Sequence, residues 1–262
     1  MNCVQLIFSP TGGTMRAAKA ITDPWKPGVE TIDLTDPALA GRTFQKEDLV
    51  LIAVPSYGGR VPELAAQRLT KMWGNSARCV LCCVYGNRAY EDTLVEVQDI
   101  AEKQGFRVFA AVAAIAEHSI MHQYAAGRPD TKDTETLRNF SRTIWEKFNN
   151  SQEESSPAIP GNRPYKKAGG AGLVPKAGKE CIRCGACAAQ CAAQAVSRDD
   201  PQKTDGKKCG SCMRCVVQCP HGARKINGAM VSVAAVAIKK VCSVRKECEL
   251  YILIFNRQAK DV

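Results

Sequence analysis

Residues 3–21 read CVQLIFSPTGGTMRAAKAI. Cys3–Phe8 is a short apolar run of the kind a buried strand shows. Ser9-Pro10-Thr11-Gly12-Gly13-Thr14 interrupts it. A helix is then expected from about Thr14 to Ile21, stopped near Asp23-Pro24. Strand, glycine-rich turn and helix together open an α/β unit. The turn also carries a chemistry. Its glycines let the backbone approach a phosphate closely, and the hydroxyls of Ser9, Thr11 and Thr14 and the N–H groups at the helix start can donate to it. No lysine of the Walker type is present, which excludes a nucleoside-triphosphate loop. An ordinary glycine-rich turn is the plain alternative.

Outward from this unit the pattern repeats. Glu30–Leu34 is a weak strand. Asp48–Val54 (DLVLIAV), Ala77–Tyr85 (ARCVLCCVY) and Phe106–Ile115 (FRVFAAVAAI) are apolar strands. Pro62 to Met72 reads as a helix with Leu64, Leu69 and Met72 at core spacing. Tyr90, Leu94, Val97 and Ala101 form a helical stripe, with Gly105 placed to close it. Leu137, Phe140, Ile144, Trp145 and Phe148 line the apolar face of a last helix. Near-continuous apolar strands alternating with helices predict a five-stranded parallel sheet covered on both faces, doubly wound in the flavodoxin manner. Ligands bind such sheets at the carboxyl ends of the strands. Two more loops leave that edge: Pro55-Ser56-Tyr57-Gly58-Gly59-Arg60 and Tyr85-Gly86-Asn87-Arg88-Ala89-Tyr90. Each offers an aromatic ring for a flat ring system and a glycine for backbone approach. Simple packing of Tyr57 and Tyr90 is the alternative.

The second half is of another kind. Cys181, Cys184, Cys187 and Cys191 follow C-x2-C-x2-C-x3-C, and Cys209, Cys212, Cys215 and Cys219 repeat it, followed by Pro220. This is the bacterial run for two [4Fe–4S] clusters, in which the fourth cysteine of each run serves the other cluster. Cys181, Cys184, Cys187 and Cys219 are therefore expected to hold one cluster, and Cys191, Cys209, Cys212 and Cys215 the other. Zinc is the alternative metal, although its sites rarely use consecutive x2 spacings twice. Ala192 stands where the usual pattern has proline.

Charge follows the same division. Residues 1–148 carry 17 basic and 17 acidic side chains, and residues 149–262 carry 19 and 9. A basic half invites a nucleic-acid reading. Two oxidised clusters, each about −2 with their thiolates, would offset about four of those charges, so no nucleic-acid partner is expected. Fourteen cysteines without an evident leader sequence point to the cytoplasm and to ligands or packed thiols rather than disulfides. No apolar run approaches the roughly 20 residues of a membrane span. The expected organisation is a doubly wound α/β domain at 1–148, a Ser-, Pro-, Gly- and Lys-rich linker at 149–178, a two-cluster domain at 179–228, and a tail at 229–262 read as a docking helix.

With both halves in view, the chain resembles the flavodoxin–ferredoxin fusion proteins of anaerobic bacteria and archaea. The resemblance rests on IFSPTGGTMRAA, VPSYGGRVPE, VYGNRAYEDTL, AEHSIMHQYAAGRPD, PGNRPYKK and the two cysteine runs, and more loosely on SVRKECELY. It implies a flavodoxin-like fold plus a small α+β ferredoxin-like domain, with FMN and two [4Fe–4S] clusters as cofactors. It further implies an electron carrier or oxidoreductase that links two-electron and one-electron chemistry, with redox proteins as partners. A flavin-dependent reductase of a bound organic substrate is the alternative, with His118 and Arg88 as acid–base candidates. A zinc-stabilised nucleic-acid-binding protein is a third reading.

Other residues are read as structural. His118 and His122 are four apart, but no third metal ligand accompanies them; a structural or flavin-edge role is expected. His221 reads as a surface turn residue. Cys3, Cys79, Cys82 and Cys83 fall in strands, where free cysteine is commonly buried. Cys242 and Cys248 are expected to be free or packed.

Overall fold

The computed structural model describes residues 1–25, 28–150, 155–169 and 172–253. In chain order the elements are β1 (Cys3–Ile7), α1 (Gly13–Thr22), β2 (Val29–Asp33), β3 (Arg42–Thr43), β4 (Leu49–Pro55), α2 (Glu63–Leu69), β5 (Met72–Trp73), β6 (Arg78–Tyr85), α3 (Thr93–Lys103), β7 (Arg107–Ile115), α4 (Thr131–Asn150), β8 (Lys176–Ala177), α5 (Ala186–Ala189), α6 (Arg214–Val217), β9 (Arg224–Lys225), α7 (Gly228–Cys242) and β10 (Glu249–Ile252).

The main sheet has the order β10-β7-β6-β4-β1-β2. Its five parallel strands follow the flavodoxin-like order 2-1-3-4-5. The central strands β4 and β6 are fully buried over Leu49–Val54 and Cys79–Cys83, because helices cover both faces. α1 packs beside α4, and α2 beside α3. The polar sequence VETID makes β2 an exposed edge.

The expected five-stranded parallel sheet needs one correction. A sixth strand, β10, comes from the tail and runs antiparallel to β7, with Glu249 opposite Ala113 and Ile252 opposite Ala110. The tail is thus a helix followed by a strand. The strand shields an edge that would otherwise expose unpaired backbone groups, and its four residues are too few to show a period. Residues 254–262 of the tail reading lie outside the described residues. Two helix expectations also shift. α2 stops at Leu69, because Met72 and Trp73 pair with Arg42 and Thr43. Tyr90 precedes α3, in a turn where Glu91 has φ +44. Gly105, at φ +79, ends α3 as expected, its N–H bonding Glu102 O and the next one Ala101 O.

The stretch 149–178, read as a linker, is largely tied down. Asn149 and Asn150 still belong to α4. Residues 155–169 form a strap along α3. The Asp92 carboxylate, 1% exposed, accepts the backbone N–H of Asn162 at 2.8 Å and of Lys166 at 2.7 Å. Asp99 accepts both Arg163 and the Tyr165 hydroxyl. Arg60 stacks 4.8 Å from the Tyr165 ring centre. A composition of Ser, Pro and Lys shows none of this, because the partners lie on another element.

Asp92→Ala is expected to cost about 1–3 kcal/mol, since it removes the buried carboxylate that accepts two backbone N–H groups of the strap; a lower urea midpoint checks this. The backbone N–H of Lys166, followed by Asn162, holds the Asp92 carboxyl below its usual range against the opposing effect of burial. Its contribution is therefore present above the unfolded-state pKa and lost as pH falls through the lower folded value. Wild-type stability should decline on acidification more steeply than that of the alanine variant.

Candidate functional site

A cleft of about 490 Å³ opens at the carboxyl ends of β1, β4, β6 and β7. The loop after β1 forms its floor. Ser9 Oγ accepts the N–H of Met15 at 2.9 Å, which fixes the loop against the first turn of α1. Gly12 takes a left-handed conformation at φ +89, a conformation a side chain would strain, and α1 has no side-chain cap and no acidic residue in its first turn. The N-terminal N–H groups of a helix have no intrahelical acceptors, so Gly13 and Thr14 present donors suited to an anion. Thr11, Gly13 and Thr14 line the cleft.

The next two loops form its walls. Pro55, Ser56, Tyr57 and Gly58 line it from β4, and Tyr85, Gly86 and Arg88 from β6. Ser56 Oγ accepts from Thr93 Oγ1 at 2.8 Å. Tyr57 is half-buried, and burial together with nearby Cys212 pushes its phenol well up. Gly86 is required by packing: a Cβ there would stand 2.7 Å from His118 Cδ2. His118 itself belongs to the loop after β7, and its ring faces the cleft wall. Its Nδ1 accepts the N–H groups of Ile120 and Met121, each at 3.2 Å, so the ring proton sits on Nε2. Burial, reinforced by His122 and Arg88, lowers its pKa below the ordinary 6.5. His118 is therefore a neutral donor at pH 7.

Five residues assigned to the cofactor from sequence lie outside the lining. Ser9 and Gly12 shape the glycine-rich loop from behind. Gly59 is a packing position, where any Cβ would collide with Glu91. Asn87 donates to Cys242 O and Val244 O, both at 2.8 Å, and anchors the tail. Tyr90 bonds Glu249 at 2.6 Å and Tyr251 at 2.7 Å, holding β10 to the sheet. Local loop chemistry suited both to a ligand, but the C-terminal chain takes their hydrogen bonds.

The roof was not legible. It consists of Gly169 at the end of the strap, Leu173 beyond it, Gly210 and Ser211 from the cysteine module, and Met230, Ala234 and Ile238 from α7. The i, i+4, i+8 spacing of the last three is a helical stripe, but its partner is tertiary.

The eight cysteines of the two runs fall into two groups of four. Cys181, Cys184, Cys187 and Cys219 surround one small cavity. Cys191, Cys209, Cys212 and Cys215 surround another. The two halves repeat with an offset of 28 residues. Left-handed backbone occurs at Arg183 and Ser211, at Gly185 and Met213, and at Gln194 and Gly222. α5 and α6 are equivalent under the same shift. Cys191 Sγ accepts the N–H of Ala195 and Cys219 Sγ that of Ala223, each at 3.2 Å. At Cys219 burial opposes ionisation, but the backbone N–H groups of His221, Ala223 and Arg224 outweigh it and lower the thiol pKa. Among the described residues no three His, Cys, Asp or Glu side chains close on the geometry of a single metal ion. Cys3, Cys79, Cys82, Cys83, Cys242 and Cys248 are buried thiols outside any disulfide.

Sequence reasoning also missed Arg224. It is 2% exposed, donates to Pro201 O at 2.7 Å and Pro175 O at 3.0 Å, and stands 3.6 Å from Cys187 Sγ. A buried cation beside thiols stabilises negative charge there. Arg68 reaches from α2 to Ala192 O at 2.7 Å, so the residue standing in place of proline carries a contact to the sheet half. Arg214 lies 3.9 Å from Asp33. Gly210 lines both the second cysteine cavity and the large cleft. The first cavity lies farther out, with Cys184 exposed.

No family model matches the chain, and no curated protein matches it. Among solved structures, a flavodoxin from Streptococcus pneumoniae TIGR4 is similar at 14% identity and a TM-score of 0.42, over 56% of this chain and 99% of that one. Oxidised flavodoxin 1 of Bacillus cereus is similar at 12% identity and 0.40, over 56% and 98%. An FMN-dependent NADH-azoreductase of Bacillus anthracis is similar at 11% and 0.35, over 57% and 98%. No helix among the described residues is long and apolar enough to cross a membrane.

His118 should titrate below 6.5 in a pH series of NMR spectra, and the fold should lose stability as pH falls through that value, because protonation charges a buried ring. His118→Gln should remove this step.

Proposed function

We propose that this protein transfers electrons between an FMN in the large cleft and two [4Fe–4S] clusters held by the two groups of four cysteines. The observation that carries the reading is Gly210, which stands in the wall of the cleft and of the second cysteine cavity at once. The residues fit both kinds of group. The cleft has the volume of a cofactor site and ends at unspent helix N–H donors able to take the FMN phosphate. Tyr57 and the loop at Gly86 would flank the ring system. Each cysteine cavity has four thiols, and a cube holds its ligands farther apart than one ion does. Backbone N–H groups already point at Cys191 and Cys219 Sγ, an interaction that tunes cluster potentials.

When bound, FMN exchanges electrons in pairs or singly and the clusters one at a time, so the pair links two-electron to one-electron chemistry. The chain's part is positional. Leu173, Met230, Ala234 and Ile238 give one side of the cleft an apolar lining, and Arg224 balances charge at Cys187. His118 holds a proton on Nε2 within the cleft. That proton favours a second reading, in which a bound organic substrate is reduced there; reoxidation that saturates with substrate and weakens in His118→Gln would support it.

Protein isolated without oxygen should carry about eight irons, eight acid-labile sulfides and one FMN per chain. Zinc in place of iron, or no flavin after FMN is offered, would contradict the proposal. Arg224→Leu should lower one cluster potential by roughly 60 mV, the one-electron equivalent of about 1.4 kcal/mol, because the missing cation disfavours added negative charge; voltammetry of the intact chain reads it.

A further inference from the structure

α7 is apolar nearly all round: its sequence GAMVSVAAVAIKKVC carries no charge before Lys239. A helix of that composition is normally enclosed on every side, yet only part of this one is covered. Met230, Ala234 and Ile238 face the large cleft, and Tyr124 bonds Ala235 O at 2.6 Å. Asn227 caps the first turn through the N–H groups of Ala229 and Met230. These contacts fix which stripe faces outward. Val233 and Val236 are each 74% exposed, and Met230, Val241 and Val244 are at least half exposed. Their spacing places them on one side of the helix, so they form a continuous ridge. Contiguous exposed apolar surface marks a contact face.

Charge narrows what covers it. Between Asp205 and Glu247 the chain has nine lysines and arginines and no acidic side chain. Arg245 is balanced by Asp130, Asp133 and Glu247. Lys239 and Lys240, at the C-terminal end of the ridge, are exposed and have no carboxylate partner among the described residues. The complement of this ridge is therefore an apolar layer with anions at its margin, which is the make-up of an anionic lipid surface. Protein interfaces gather Trp, Tyr and Arg at their centres and are poor in Lys, whereas α7 has none of those three and two lysines. The helix has 15 residues and is about 22 Å long. One stripe of it is too narrow to bury by itself the roughly 1,000 Å² of a stable protein interface. It is also shorter than the roughly 20 residues needed to cross a bilayer.

We propose that α7 is a membrane-contact helix that lies in the plane of an anionic bilayer. Val233, Val236 and their apolar neighbours enter the boundary between headgroups and acyl chains, and Lys239 and Lys240 meet the lipid phosphates. One short apolar face with two cations gives a reversible association. The opposite stripe of the helix lines the large cleft, which is thereby held about one helix diameter, roughly 10 Å, from the lipid. No cofactor takes part, so binding is expected with or without flavin and clusters.

The test is co-sedimentation of the full chain with vesicles of phosphatidylglycerol and phosphatidylcholine in equal parts, and with vesicles of phosphatidylcholine alone, at one ionic strength. Sedimentation equilibrium of the lipid-free protein accompanies it. Binding to the mixed vesicles is expected, and binding about thirtyfold weaker to the neutral ones, the effect of two lysines near the surface. The double substitution Val233→Glu and Val236→Glu, at exposed positions, should abolish binding without moving the thermal midpoint. The double substitution Lys239→Gln and Lys240→Gln should leave the weaker binding and remove the preference for anionic vesicles. No binding to the mixed vesicles, binding that persists in the valine variant, or an undiminished preference in the lysine variant would overturn the proposal. A lipid-free dimer that the valine substitutions dissociate would also overturn it, since a second copy would then cover the ridge.

Discussion

Gly210 stands in the walls of two cavities at once, so one short loop serves both. Cys209 and Cys212 flank it on the second cysteine cavity, while its backbone and Ser211 close the cleft at the sheet edge. An open α/β sheet leaves a crevice where its strands end. Here the cysteine module fills one side of that crevice. Arg68 on Ala192 O and Arg214 near Asp33 fasten the module in place. Loss of this seating would separate the two halves chemically even if each stayed folded.

The rest of the second half wraps the first. The strap 155–169 is pinned to α3 through Asp92 and Asp99, α7 covers the cleft, and β10 extends the sheet. Part of the basic excess is spent in these contacts. Arg163, Lys166 and Arg245 all meet carboxylates of residues 91–133, a division of charge that matches a neutral first half with a basic second one. Exposed pairs of this kind contribute little singly. Asp92 contributes more, because its buried carboxylate accepts two backbone N–H groups at once.

The parallel strands were legible because burial on both faces leaves near-continuous apolar runs, as in DLVLIAV. The glycine-rich turn into α1 was legible because few residue types allow a backbone to turn at φ +89 and enter a helix. The cysteine grouping was legible from spacing alone: the fourth cysteine of each run crosses to the other cavity. What stayed hidden depends on distant partners. Asn87 and Tyr90 have the chemistry of ligand-binding residues, and only the fold shows that the tail occupies them. β10 is too short to show a period. Arg224 reads as one more basic residue until its burial beside Cys187 is seen. The roof over the cleft comes from three segments that no local pattern joins.

The central claim is adjacency: flavin in the cleft, one cluster directly behind Gly210, and the other farther out. Iron-edge anomalous diffraction from crystals of the anaerobically isolated, FMN-loaded protein tests it most directly. The account predicts two compact iron bodies. One is ringed by Cys191, Cys209, Cys212 and Cys215 against the flavin, and the other by Cys181, Cys184, Cys187 and Cys219 toward the surface. Single-ion peaks at the cysteines, or a flavin bound away from Gly210, would contradict it.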